Sequence, residues 1–94
     1  MKMTMCEVTI VNSLGLHARA AARFVHTASA FAARIRVARG GREMDGKSIM
    51  GLLLLAAARG STIVISADGS DEQPALTALR ALVERGFDEA LPCD

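Results

Sequence analysis

The stretch with the clearest chemistry is Gly15-Leu16-His17-Ala18-Arg19-Ala20-Ala21. His17 stands where a loop gives way to a helix-forming run. The first N–H groups of a helix lack internal partners and the dipole there is positive, so that end cradles a phosphate. An imidazole side chain has an ordinary pKa of about 6.5, so the neutral, nucleophilic form dominates near neutral pH. A ring nitrogen can then attack phosphorus. The anion formed would be held by backbone N–H groups and by Arg19, two residues on. Gly15 would let a partner approach closely. The same position also suits a histidine that merely bounds a helix, and spacing alone leaves both readings open. His26 falls inside the helix, off its apolar stripe, and reads as a solvated side chain.

Ser48 is the second notable residue. It precedes an apolar run and is a good helix N-cap. A phosphate on that hydroxyl would sit well on the helix dipole and would place charge beside Ile49, Met50 and Leu53. Those three residues belong to the first turns of a helix that is apolar almost all round. One side of it must face solvent in a two-layer fold, so part of the patch is expected to meet partners. The bland alternative is that all of it is core.

The elements that position these residues follow from periodicity. Cys6 to Val11 alternates and is rich in β-branched residues, which predicts a strand. Asn12-Ser13-Leu14-Gly15 reads as a loop. From Ala18 to Ala33 the spacing turns helical, with a stripe of Ala18, Ala21, Ala22, Val25, Ala28 and Ala32 and with Phe24 and Phe31 on its flank. Ile35 and Val37 mark a second strand. Gly40-Gly41 makes a hairpin turn into a third, over Arg42 to Asp45. A helix from Ile49 to Ala58 is expected to stop at Gly60, with Arg59 in its last turn. Thr62 to Ala67 forms the fourth strand, and Asp68-Gly69 a turn. Ser70 and Gln73 resemble a capping box. Leu76, Leu79 and Val83 trace a last helix that Gly86 ends. The order is βαββαβα. The strands carry one apolar face and one polar face (Glu7, Thr9, Arg34, Arg36, Thr62, Ser66), which predicts an α+β fold with an antiparallel sheet covered by helices on one side.

Composition narrows the function. Ninety-four residues, 51% hydrophobic and 22% charged, are expected to form one domain with its core over about residues 4–88. Eleven basic residues against ten acidic ones leave a net charge of +1, and there are three Phe, no Trp and no Tyr. That argues against nucleic-acid binding by charge or base stacking. A deep substrate cavity is hard to build from so short a chain. Cys6 and Cys93 lack metal-ligand spacing and are expected to be reduced thiols, which points to the cytoplasm. Met1 to Met5 lacks the continuous apolar stretch of a signal peptide, and the run Leu52–Ala58 is far short of the roughly 20 residues a bilayer needs. A soluble monomer without membrane insertion is the expectation.

The chain resembles the HPr family, the histidine-containing phosphocarriers of the bacterial phosphotransferase system. Gly15 to Arg19 resembles the family's active-site motif. Lys47-Ser48-Ile49-Met50-Gly51-Leu52 resembles its regulatory serine motif, and the element order and Ile65 to Gln73 fit as well. The resemblance spans roughly Thr4 to Phe87. It implies an open-faced β-sandwich, a four-stranded antiparallel sheet with three helices on one face. It also implies a carrier rather than an enzyme, with no metal and no cofactor. His17 would accept phosphate on Nδ1 from enzyme I, itself charged by phosphoenolpyruvate, and pass it to a histidine of an EIIA-type protein. Arg19 would stabilise the phosphohistidine, and Ser48 would be the target of HPr kinase/phosphorylase. Gly15, Leu16, Ala20, Ile49, Met50 and Leu53 would form the docking surface. One position departs: the family pattern usually has proline where this chain has Ala20. Alanine restores an N–H in the first helical turn and is expected to leave His17 functional.

Two other classes compete with a carrier. A regulatory module acting only through Ser48 would not need His17. An RNA-binding α/β domain would need the basic charge and aromatics that the chain lacks. Sugar uptake and a nitrogen-related branch both use such carriers, and Leu52–Leu55 does not distinguish them.

Overall fold

Alternation at the head of the chain becomes β1 (Thr4–Thr9) in the computed structural model, which describes residues 4–89. Val8 and the following Ile10 point inward and are buried, whereas Met5, Glu7 and Thr9 point to solvent. The strand ends before Val11, which is exposed. Ile10 makes the last ladder-like bonds, donating to Ser61 O and accepting from Gly60 N–H, both at 2.8 Å. β2 (Arg34–Arg39) and β3 (Arg42–Asp45) form the hairpin around Gly40, whose φ is +62°. β4 (Thr62–Asp68) runs antiparallel between β1 and β2, giving the sheet order β1-β4-β2-β3. The register sets Val8 opposite Ile63 and Val37 opposite Ile65, so the branched residues stack on one face.

Three helices cover that face: α1 (Ala18–Ala28), α2 (Ile49–Leu54) and α3 (Glu72–Glu84). The fold is therefore the expected four-stranded antiparallel sheet with three helices. Ser66 is a correction. Its register is that of the solvent face, yet it is only 6% exposed, a small residue flanked across the ladders by Met5 and Arg36.

Helix α1 is shorter than its periodicity predicted and buries a different stripe. Ala20, Ala21, Phe24 and Ala28 are core, while Ala18, Ala22 and Ala32 are exposed. The one large side chain sets the buried face, because Phe24 gains more from leaving water than any alanine. After Ser29 the backbone tightens to i→i−3 bonds, Ala30 to Thr27 and Phe31 to Ala28. The next two N–H groups, of Ala32 and Ala33, are each taken at 2.8 Å by the Asp71 carboxylate, 38 or more residues away.

Asp71 is also the N-cap of α3, so the expected Ser70–Gln73 capping box does not form. Instead Glu72 accepts the Gly69 N–H, and Gln73 reaches the Thr4 hydroxyl. The Ala32 N–H, with that of Ala33, holds the Asp71 carboxyl below its ordinary range against the opposing effect of desolvation. A lowered carboxyl stabilises the fold above the unfolded-state carboxylate range, and that contribution disappears as pH falls through the lowered value. Urea melts at neutral pH are expected to show Asp71→Ala less stable than the wild type. The gap narrows as pH falls below the ordinary carboxylate range and the Asp71 carboxyl takes up its proton.

Helix α2 also stops early. Ser48 caps it as expected, accepting the Gly51 N–H at 3.0 Å. The helix ends at Leu55, not at Gly60, and Ala56 takes a positive φ of +50°. Leu55 and Ala57 are both 2% exposed, and the sharp reversal between them buries both. The freed carbonyls of Leu54 and Leu55 accept from Arg42 and Arg39 of the hairpin, at 2.9 and 3.1 Å, in place of Arg59. Ala56 is exposed, so Ala56→Gly relieves the left-handed backbone without losing packing. It is expected to raise stability by about 1 kcal/mol in a thermal or urea melt.

Helix α3 buries Leu76, Leu79 and Val83 as read, with Ala75 and Leu82. It ends at Gly86 (φ +71°) in a Schellman arrangement: Gly86 N–H to Val83 O, and Phe87 N–H to Leu82 O, both 2.9 Å. Phe87 then enters the core fully buried. Cys6 has no disulfide partner among the described residues, and burial pushes its thiol up. Cys93 lies outside them. No described helix is long and apolar enough to cross a membrane.

Candidate phosphoryl-acceptor site

The loop before α1 is held from several sides. Gly15 N–H donates to Asn12 O at 3.1 Å, and Asn12 Nδ2 donates back to Gly15 O at 2.8 Å. Leu16 N–H donates to Ala57 O at 2.9 Å while its side chain, 5% exposed, plugs the core. Gly15 needs to be glycine here: its φ is +68°, and a Cβ would lie 2.6 Å from Ala57 O. The close approach it permits is therefore to the chain's own backbone, not to a visiting protein. Leu16 and Ala20, also expected at the docking surface, are likewise core, with Ala20 at 0% exposure.

This packing leaves His17 as the N-cap of α1, in extended backbone (φ −82°, ψ −179°), with a side chain that makes no capping bond. Its carbonyl accepts the first intrahelical bond, from Ala21 N–H at 2.8 Å. The N–H groups of Ala18, Arg19 and Ala20 thus have no partner within the helix. Ala20 occupies the third helical position, where proline costs no intrahelical bond.

The imidazole is half-buried, and its Nε2 is hydrogen-bonded to Glu89 Oε2. Glu89 Oε1 accepts from Asn12 Nδ2 at 3.1 Å. Burial alone would push the Glu89 carboxyl up. The bonds from His17 and Asn12, with the charges of His17 and Arg23, outweigh it and leave the group below the ordinary carboxylate range. Arg19 is exposed, without a hydrogen bond or ion pair among the described residues. One turn on, Arg23 donates to Phe87 O at 2.5 Å. His17, Arg19, Arg23, Asp88 and Glu89 share an open cleft of about 800 Å³ with Leu14. Two guanidinium groups and a helix N-terminus beside one imidazole suit an anion carried on that ring. His26 lies in an adjoining cleft of about 500 Å³ and is exposed, as read.

The apolar patch is a partial match to expectation. Ile49 (42%) and Met50 (67%) are exposed, but Leu53 is half-buried against the core. Leu14 (71%) and Leu54 (52%) are exposed and escaped the sequence reading. Leu14 had a usable signal, since a large apolar residue in a polar four-residue loop is often left outside. Asn12 read only as part of a loop, and Arg23 was not singled out. Glu89 had no signal at all, being 72 residues from His17. No group of three or more His, Cys, Asp or Glu side chains that could hold a metal occurs among the described residues.

Comparison with known proteins agrees with this geometry. A family model described as "PTS HPr component phosphorylation site" matches residues 5–85. The phosphocarrier protein HPr of Cupriavidus necator is 48% identical over 83 residues, covering 88% of this chain and 93% of that protein. The phosphocarrier protein NPr of Shewanella violacea is 45% identical over 84 residues, covering 89% and 92%. The crystal structure of HPr-C-His from Thermoanaerobacter tengcongensis superposes with a TM-score of 0.86 at 43% identity, covering 97% of this chain and all of that one. A loop anchored in the core that presents one histidine at a helix tip, two arginines beside it and this match across most of the chain converge: the protein belongs to the HPr family of phosphotransferase-system phosphocarriers.

Proposed function

We propose that this chain carries a phosphoryl group on His17, taking it from phospho-enzyme I, charged by phosphoenolpyruvate, and passing it to a histidine of an EIIA-type protein. The observation that carries this reading is the His17 side chain, free of any capping role, at the positive end of α1 and in one cleft with Arg19 and Arg23. Attack on phosphorus builds charge on three oxygens. Unpaired helix N–H groups meet that charge without reorganising, and the exposed Arg19 guanidinium, bound to no other described group, is free to swing onto it. Ile49 and Met50, with Leu14 and Leu54, offer partners an apolar docking surface, one that enzyme I and EIIA use in turn.

Ser48 fits a regulatory role in the same scheme. A phosphate of about −2 charge there would stand beside Ile49 and Met50 and oppose docking through them. HPr kinase/phosphorylase is the modifying enzyme where the organism has it. The carrier works as a cytoplasmic monomer. Relatives named HPr and NPr both match, and the relay is the same for a sugar-uptake or a nitrogen-related branch.

Incubation with phosphoenolpyruvate and purified enzyme I tests the reading by mass spectrometry. The wild type is expected to gain one acid-labile phosphoryl group and His17→Ala none. Arg19→Ala should slow the gain by about 10²-fold. A His17→Ala protein that still takes up acid-labile phosphate would remove His17 from the relay.

A further inference from the structure

We propose that Glu89 is a positioning residue for His17: its carboxylate keeps the ring proton on Nε2, so Nδ1 holds the lone pair that attacks phosphorus. The argument begins with donors and acceptors. An ionised carboxylate only accepts hydrogen bonds, so a neutral imidazole bonded to it through Nε2 must carry its proton there. The second oxygen of Glu89 is fixed by Asn12 Nδ2. Asn12 is only 6% exposed and is itself tied to Gly15 O. Imidazole, carboxylate and loop amide thus form one chain of bonds, and the ring's orientation is set by the same loop that presents it.

The backbone leading to Glu89 is shaped for this contact. Phe87 and Asp88 have φ of +59° and +60°, directly after Gly86 at +71°. Side-chain-bearing residues rarely adopt that region, and such residues cluster where surrounding structure forces them, often beside functional groups. Here the forcing groups are visible. Phe87 is buried, its carbonyl accepts from Arg23, and Asp88 takes two bonds from Arg85, at 2.8 and 3.2 Å. The turn carries the chain back from α3 to the tip of α1. The Glu89 carboxyl, held below its ordinary range, is ionised at neutral pH. The other charged groups in the cleft are Arg19, Arg23 and Asp88, the last paired with Arg85.

The consequence for transfer rests on the phosphocarrier reading above. As the bond from Nδ1 to phosphorus forms, the bond from phosphorus to the donor breaks and its electron pair leaves with the donor. The Nε2 proton stays, and the ring becomes cationic against the Glu89 carboxylate. When the group moves on, the phosphorus–Nδ1 pair returns to the ring. The leaving group is then a neutral imidazole with its Nε2–H intact, a better leaving group than an imidazolate.

The test needs two measurements on the full chain carrying ¹⁵N-labelled histidine. Multiple-bond ¹H–¹⁵N spectra of the neutral ring should place the wild-type His17 proton on Nε2, and Glu89→Ala should give a mixture of the two tautomers. The initial rate of phosphorylation by enzyme I and phosphoenolpyruvate should fall by about tenfold in Glu89→Ala. Glu89→Gln, which keeps the shape but can also donate, should likewise lose the pure Nε2–H form. An unchanged tautomer in Glu89→Ala overturns the proposal whatever the rate, and so does an unchanged rate. A wild type with Nε2–H that accepts no phosphate would instead sink the carrier role of His17 and leave the positioning of its ring standing.

Discussion

Truncation of Phe87 to alanine is expected to cost about 3–5 kcal/mol, a large share of the roughly 5–15 kcal/mol that holds a typical small domain together. The ring is fully buried, among the largest side chains sealed from solvent. Its removal leaves a void in the shared core, whose side chains are held by regular strands and helices and cannot collapse to fill it. The loss should reach the site as well. Phe87 places the carbonyl that Arg23 binds and starts the turn that returns Glu89 to His17. A urea melt would read the stability. The tautomer spectrum of His17 in the folded variant would read the displacement, and both should change together. A variant with wild-type stability would show that Phe87 is not part of the core.

Gly15→Ala is expected to be nearly as damaging, and for a different reason. The new Cβ would stand 2.6 Å from Ala57 O and 3.0 Å from Ala58 Cα, both backbone atoms that cannot swing aside. The left-handed φ costs about 1–2 kcal/mol and the forced displacement about 1–3 more. Gly40→Ala makes the control. Its φ of +62° is similar, but nothing lies within 4 Å of the place its new methyl group would take, so only the backbone cost should appear. The difference between the two melts isolates the clash. Phosphorylation separates them further, because only Gly15 carries the loop whose Leu16 N–H anchors to Ala57 and aims His17. Gly15→Ala should slow transfer, while Gly40→Ala, remote on the β2–β3 hairpin, should not.

Features that depend on a few neighbouring residues were legible in the chain. The strand alternation, the Gly40 hairpin, the Ser48 cap, the Gly86 stop and the placing of His17 at a helix start all arise from spacing and local backbone preference. Each can be evaluated within one or two turns of chain. The motif around His17 and the one around Ser48 belong to that class, which is why the candidate acceptor could be named before any fold existed.

Helix ends and the surroundings of the acceptor were decided elsewhere. The residues after α1 leave the helix because Asp71 offers a better acceptor, and α2 breaks at Ala56 because burying both Leu55 and Ala57 demands a reversal. Arg39 and Arg42, from a hairpin, replace the local Arg59 at its carbonyls. Leu16 and Ala20 lie close to His17 along the chain yet face inward, since this stretch packs on the core while presenting one ring. Glu89 meets that ring from 72 residues away. Hydrogen bonds and packing act through space at a few ångströms, with no regard for separation along the chain. Contacts of this kind therefore have no period or motif by which to read them, and only closure of the sheet and its three helices brings them together.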